Sequence, residues 1–79
     1  MYYVYIIKNQ NRNYVYIGIS DNVNRRLKEH NSGNNKTTKP YRPFKLLHTE
    51  NFQDRISARE REKWFKSGEG REFIKVHYF

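Results

Sequence analysis

The chain has no cysteine, which excludes disulfides, iron–sulfur clusters and thiolate zinc sites and suits a reducing compartment. Any metal must therefore sit on oxygen or imidazole. No apolar run approaches the roughly 20 residues that cross a bilayer, and no charged-then-apolar leader opens the sequence. The expectation is a cytoplasmic protein with no membrane partner. Acid is scarce as well: 8 Asp and Glu against 16 Lys and Arg leave a formal charge of +8 on 79 residues. Such an excess attracts polyanions, and DNA is the partner it predicts. Repeats and low-complexity segments are absent. A chain this short makes one domain, residues 1–79, near the size at which a single core only just holds a fold.

What the sequence has in plenty is tyrosine, five of its seven lying between residues 2 and 16. Residues 2–8 and 14–20 alternate with period two and are rich in Tyr, Val and Ile, so they read as two strands around the turn "NQNRN". Val4 and Ile6 then share a face with Val15, Ile17 and Ile19. Tyr3, Tyr5 and Ile7 fall on the other face with Tyr14, Tyr16, Gly18 and Ser20. With an even loop, Tyr5 and Tyr16 can stand directly opposite each other and address one ligand.

"DNVNRRLKEHNSG" reads as a helix capped by Asp21 or Ser20 and stopped by Gly33, with Val23 and Leu27 packing inward. Arg26 and His30, four apart, share one face beside that stripe. A polar, proline-punctuated loop follows, and residues 44–52 form a third strand at a sheet edge, behind Pro43. Asp54 caps a second helix ending at Gly68. A short helix covers 71–75, and "VHYF" is unplaced. In the second helix Ala58, Glu62 and Phe65 lie at i, i+4 and i+7, so a carboxylate stands on the inward face. It must be paired, protonated or bound to a cation, and Arg59 or Lys66 could pair it. His48 and His77 have no context that raises them.

"VYI" at 4–6, "YIG" at 16–18, Arg26 with His30, and Ala58, Glu62 and Lys66 together resemble the GIY-YIG nuclease family over nearly the whole chain. The chain is similar to the small stand-alone bacterial members and to the N-terminal nuclease domain of the excision-repair endonuclease. The first motif lacks its glycine, and Ile19 follows "YIG" where some members carry lysine. The resemblance implies an α/β (α+β) fold, a three-stranded antiparallel sheet flanked by helices. It also implies hydrolysis of a DNA phosphodiester assisted by Mg²⁺ or Mn²⁺. Carried over, Tyr5, Tyr16, Arg26, His30 and Glu62 become the catalytic set, with Glu62 the metal ligand.

Those residue types suit the chemistry. Hydrolysis needs a deprotonated water, neutralised phosphoryl charge and help for the leaving alkoxide. Magnesium keeps most of its waters, so one glutamate suffices. Which tyrosine acts as base stays open, since a phenol of pKa about 10 is a poor base unaided. From Asn22 to Leu46 seven basic residues meet one acid, Glu29. The DNA-binding residues expected are Arg25, Lys28, Lys36, Lys39, Arg42 and Lys66. A second class is a non-catalytic nucleic-acid-binding module using the basic loop and exposed aromatics. Glu62 favours the enzyme, because a pure binder would lose affinity by placing an acid in a basic groove.

Overall fold

The computed structural model describes residues 1–79. Strands β1 (Tyr2–Asn9) and β2 (Val15–Ser20) lead into helix α1 (Val23–Ser32), and one 3-10 turn (Lys39–Tyr41) precedes β3 (Phe44–Phe52). Helices α2 (Arg55–Phe65) and α3 (Gly68–Tyr78) complete the chain. The sheet is antiparallel in the order β2-β1-β3. β1 is therefore central and covered on both faces, which is why it alternates aliphatic with aromatic residues instead of apolar with polar ones. On one face Val4, Ile6 and Ile17 pack against Ala58, Phe65 and Ile74 of α2 and α3. On the other, Tyr5, Ile7 and Phe44 pack with Val23 and Leu27 of α1.

The partition of side chains between faces follows the period-two reading, with Val4 paired to Ile19 and Ile6 to Ile17. The pairing of the tyrosines does not. Tyr5 stands opposite Gly18, and Tyr16 opposite Ile7, so the two rings are diagonal neighbours with centroids 6.2 Å apart. Two forces set this register. Asn9 closes the turn, its side-chain oxygen accepting from the backbone N–H of Asn11 and Arg12 at 2.7 and 2.6 Å. Gly18 gives the Tyr5 ring room, because a Cβ there would lie 2.6 Å from the Tyr5 hydroxyl oxygen.

The cap of α1 is Asn22, one residue beyond the expected Asp21 or Ser20. Its side chain accepts from the Arg25 N–H at 3.0 Å, while Asp21 is drawn instead to the Arg25 guanidinium at 2.7 Å. Gly33 ends the helix in the left-handed region, φ +84°. Asp54 caps α2 as expected, accepting from Ser57 N–H at 2.7 Å. The end of the chain departs from the sequence reading. α2 stops at Phe65, Ser67 caps α3 by accepting from Gly70 N–H, and α3 runs on through Val76, His77 and Tyr78. Gly68 begins a helix where a stop was expected.

Gly70 makes the α2–α3 corner possible. A Cβ on it would collide with the Trp64 carbonyl oxygen and with Phe65 Cα, both backbone atoms that cannot swing away. Gly70→Ala must push the helices apart and open the Phe65–Ile74 packing. Overpacking of this kind costs about 1–3 kcal/mol, or about 5–20 °C in Tm for a domain of this size. Gly68→Ala meets nothing within 4 Å and should leave Tm unchanged or raised. Thermal denaturation of both variants checks the pair. Equal midpoints would show that the corner does not depend on the missing Cβ.

Candidate active site

Tyr5 lies on the α1 face of the central strand and is only 1% exposed, so its hydroxyl needs a partner inside the protein. It finds His30 Nε2 at 2.9 Å. His30, equally buried, comes from the inner face of α1 and places Nδ1 2.8 Å from Thr38 Oγ1 in the α1–β3 loop. The Thr38 hydroxyl donates onward to the Asn35 carbonyl oxygen at 3.5 Å. That order assigns the tautomer: Nδ1–H donates to Thr38, and Nε2 accepts from the Tyr5 hydroxyl. Burial, followed by the positive charge of Arg26, pushes the His30 pKa below its ordinary value.

A depressed histidine pKa has a definite thermodynamic sign. The unfolded chain takes up this proton below about pH 6.5 while the folded chain resists it, so stability is complete above that pH and declines as pH falls toward the folded value. His30→Gln should remove that part of the decline. The check is the difference in Tm between wild type and variant from pH 7.5 down to 5.5, about one unit either side of the free pKa. A constant difference would show that His30 titrates alike in both states.

Arg26, one turn before His30, brings its guanidinium beside the Tyr5 hydroxyl. Burial raises the Tyr5 phenol above its ordinary value, Arg26 draws it back, and the charges of Tyr16 and Glu62 push it up again. Arg26 is anchored by Glu29 Oε1 at 2.8 Å. Tyr16 stacks obliquely on the same histidine, centroids 4.9 Å apart. The structure thus brings Tyr5, Tyr16, Arg26 and His30 together, with Glu62 near enough for its charge to bear on Tyr5.

Glu62 lies on the inward stripe of α2 with Ala58 and Phe65 and is 9% exposed. Its oxygens face Lys66 Nζ at 3.1 Å and Arg59 Nε at 3.8 Å, the two partners weighed from sequence. Both partners are more than half exposed along their side chains, so they can swing out and leave the carboxylate to another cation. Nowhere do three or more His, Asp or Glu side chains gather as a metal cage. This donor set fits a hard ion that retains most of its waters, as Mg²⁺ does, and not one that needs several protein ligands.

Among the expected DNA-binding residues, Lys28, Lys36, Lys39 and Arg42 are exposed and take part in no ion pair. Arg25 is tied to Asp21 at 2.7 Å and Glu29 at 3.7 Å. Lys66 caps α2, held by Glu62, and is separate from the basic loop. Sequence reasoning missed Thr38, which orients His30, and Glu29, which anchors Arg26. A threonine in a polar loop carries no signal of its own, whereas Glu29 three residues after Arg26 is a readable helical pair. His48 also has a place, but a structural one. It accepts from the Tyr78 hydroxyl at 2.7 Å and donates to Glu50 at 2.8 Å, and Glu50 binds Arg61 at 2.8 and 3.2 Å, tying β3 to α2 and α3.

Comparison with known proteins gives the family of the chain and its fold. Residues 1–74 match the family described as the GIY-YIG catalytic domain. A UPF0213 protein of Natronomonas pharaonis is 37% identical over 67 residues, covering 84% of this chain and 78% of its own. Another, from Staphylococcus haemolyticus, is 36% identical over 76 residues, covering 95% and 92%. The solution NMR structure of a UPF0213 protein from Bacillus halodurans superposes with a TM-score of 0.56 at 32% identity, covering 99% of this chain and 86% of that one. On the match over residues 1–74 and on these relatives, the chain belongs to the GIY-YIG family, among relatives that carry the UPF0213 name.

Proposed function

We propose that residues 1–79 form a divalent-metal-dependent DNA endonuclease of the cytoplasm that hydrolyses phosphodiester bonds. The observation that supports it most is the Tyr5 hydroxyl, bonded to a neutral His30 with the Arg26 guanidinium beside it and the charge of Glu62 felt more weakly. A binding surface has no use for a buried proton chain next to an acid.

The chain's own groups divide the work. Arg26 forks onto two phosphoryl oxygens and takes the charge that grows on them in the transition state. Tyr5 presents a lone pair to the attacking water. As the water's proton passes to Tyr5, the phenolic proton passes to His30 Nε2, so no buried phenolate forms. Burial disfavours both the phenolate and a charged His30, so the proton rests on His30 only until the leaving group or solvent takes it. Tyr16 walls the water in against His30. Glu62 would hold the cation, Mg²⁺ or Mn²⁺, which when bound supplies charge neutralisation and help for the leaving alkoxide. The likeness to an excision-repair nuclease domain favours branched or damaged DNA as substrate.

The test is incubation with plasmid, single-stranded and branched DNA in Mg²⁺, Mn²⁺ or EDTA. Cutting in either metal and none in EDTA is expected. Binding without nicking in every condition would leave only a nucleic-acid-binding module.

A further inference from the structure

A groove of about 650 Å³ runs along the free edge of β2, between that strand and α3. Its floor is apolar, formed by Val15, Ile17 and Ile74. One aromatic ring stands at its end, that of Phe79, which is 52% exposed, while Tyr14 and Tyr16 line it from the β2 edge with their rings turned to the α1 face, against Tyr41 and His30. Three cations line it, Lys66, Arg71 and Lys75, and no carboxylate does. Arg71 and Lys75 are one turn apart on α3, and both are exposed. Neither takes part in any ion pair, like Lys28, Lys36, Lys39 and Arg42 and unlike Arg25, Arg26, Arg59, Arg61 and Lys66. Tyr16 and Lys66 belong both to this groove and to the surroundings of His30 and Glu62, so the groove continues the candidate active site.

We propose that this groove is the track for a single DNA strand flanking the cut, with Arg71 and Lys75 on its phosphates and Phe79 against a base. The proposal rests on the nuclease reading for its place beside the cut, but its chemistry is independent of cleavage. Unpaired cations at one-turn spacing suit successive phosphates. The exposed Phe79 ring beside them suits a base whose face is free, which is true of a single strand and not of a stacked duplex. A second copy of the chain is a poor occupant, since each copy carries +8. A peptide strand pairing with the β2 edge would leave the unpaired Arg71 and Lys75 without a purpose.

The experiment is equilibrium binding in EDTA, where nothing is cut, using labelled oligothymidylate of about 12 nucleotides and a blunt duplex. Arg71→Gln with Lys75→Gln should weaken oligothymidylate binding about tenfold and reduce the log–log salt slope by about 1.4, two phosphates at about 0.7 each. Duplex binding should not change. Phe79→Ala should weaken the thymidylate strand but not an abasic strand of equal length. Lys36→Gln with Lys39→Gln, in the basic loop, should weaken duplex binding. The proposal is overturned if the groove pair weakens duplex and single strand equally or leaves the single strand unaffected, or if oligouridylate binds more tightly. The same result follows if the wild type sediments as a dimer that the groove pair disrupts. Loss of strand binding in the groove pair from a protein that cuts nothing supports the groove while removing the nuclease.

Discussion

Glu62→Gln is expected to abolish metal-dependent cleavage, by about 10³-fold or more in the single-turnover rate, while fold and DNA binding survive. Glutamine keeps the shape and helix propensity of glutamate and can still accept from Lys66 Nζ, now 3.1 Å from Oε2. What it loses is the charge, and a lone carboxylate would be the whole protein contribution to the proposed cation site. Removing a negative charge between Lys66 and Arg59 also frees both cations for phosphate, so affinity should stay level or rise. Thermal denaturation reports the fold, binding in EDTA reports the affinity, and single-turnover cleavage in Mg²⁺ reports the chemistry. A variant that cuts at the wild-type rate would move the metal elsewhere. Glu29, anchored to Arg26, would then be the next carboxylate to examine. Glu60 would not, since it is exposed on a patch shared with Arg55, Arg59 and Lys63.

Glu62 illustrates what the sequence could disclose. A carboxylate at i+4 on an apolar stripe is an anomaly at the level of the pattern, and its partners Arg59 and Lys66 follow from helical spacing alone. The division of the hairpin between two faces was legible for a similar reason, because a side-chain period of two admits no slippage between faces. The Tyr5–Gly18 pairing was not legible. It depends on the hydrogen bonds of the Asn9 turn and on the space above one glycine, neither of which leaves a periodic trace. The last helix was hidden for an opposite reason. Gly68 reads as a stop, yet Ser67 starts a helix over it and over Gly70, and Gly70 is glycine because another backbone touches it. Thr38 and the β2–α3 groove join residues distant in sequence, so only the folded chain reveals them.

Arg26→Ala should lower the cleavage rate by about 10²–10³-fold, as removal of one preorganised donor from an anion site does. The sharper comparison is Arg26→Lys against Arg25→Lys. Arg26 is tucked against the Tyr5 hydroxyl and braced by Glu29, so its fork is fixed before substrate arrives. Lysine keeps the charge but replaces a planar fork by a point donor on a flexible stem, which cannot hold two phosphoryl oxygens as charge builds on them. Arg26→Lys should therefore cut the rate strongly and change DNA affinity little. Arg25, exposed and turned toward Asp21, should tolerate lysine in both assays. Neither substitution should shift Tm greatly, because both positions keep a cation next to the Glu29 carboxylate. Single-turnover rates and equilibrium binding on wild type and the three variants decide the matter. If the two lysine variants behave alike in both assays, Arg26 is one more charge on a basic surface, and the anion site of the proposed nuclease must be sought elsewhere.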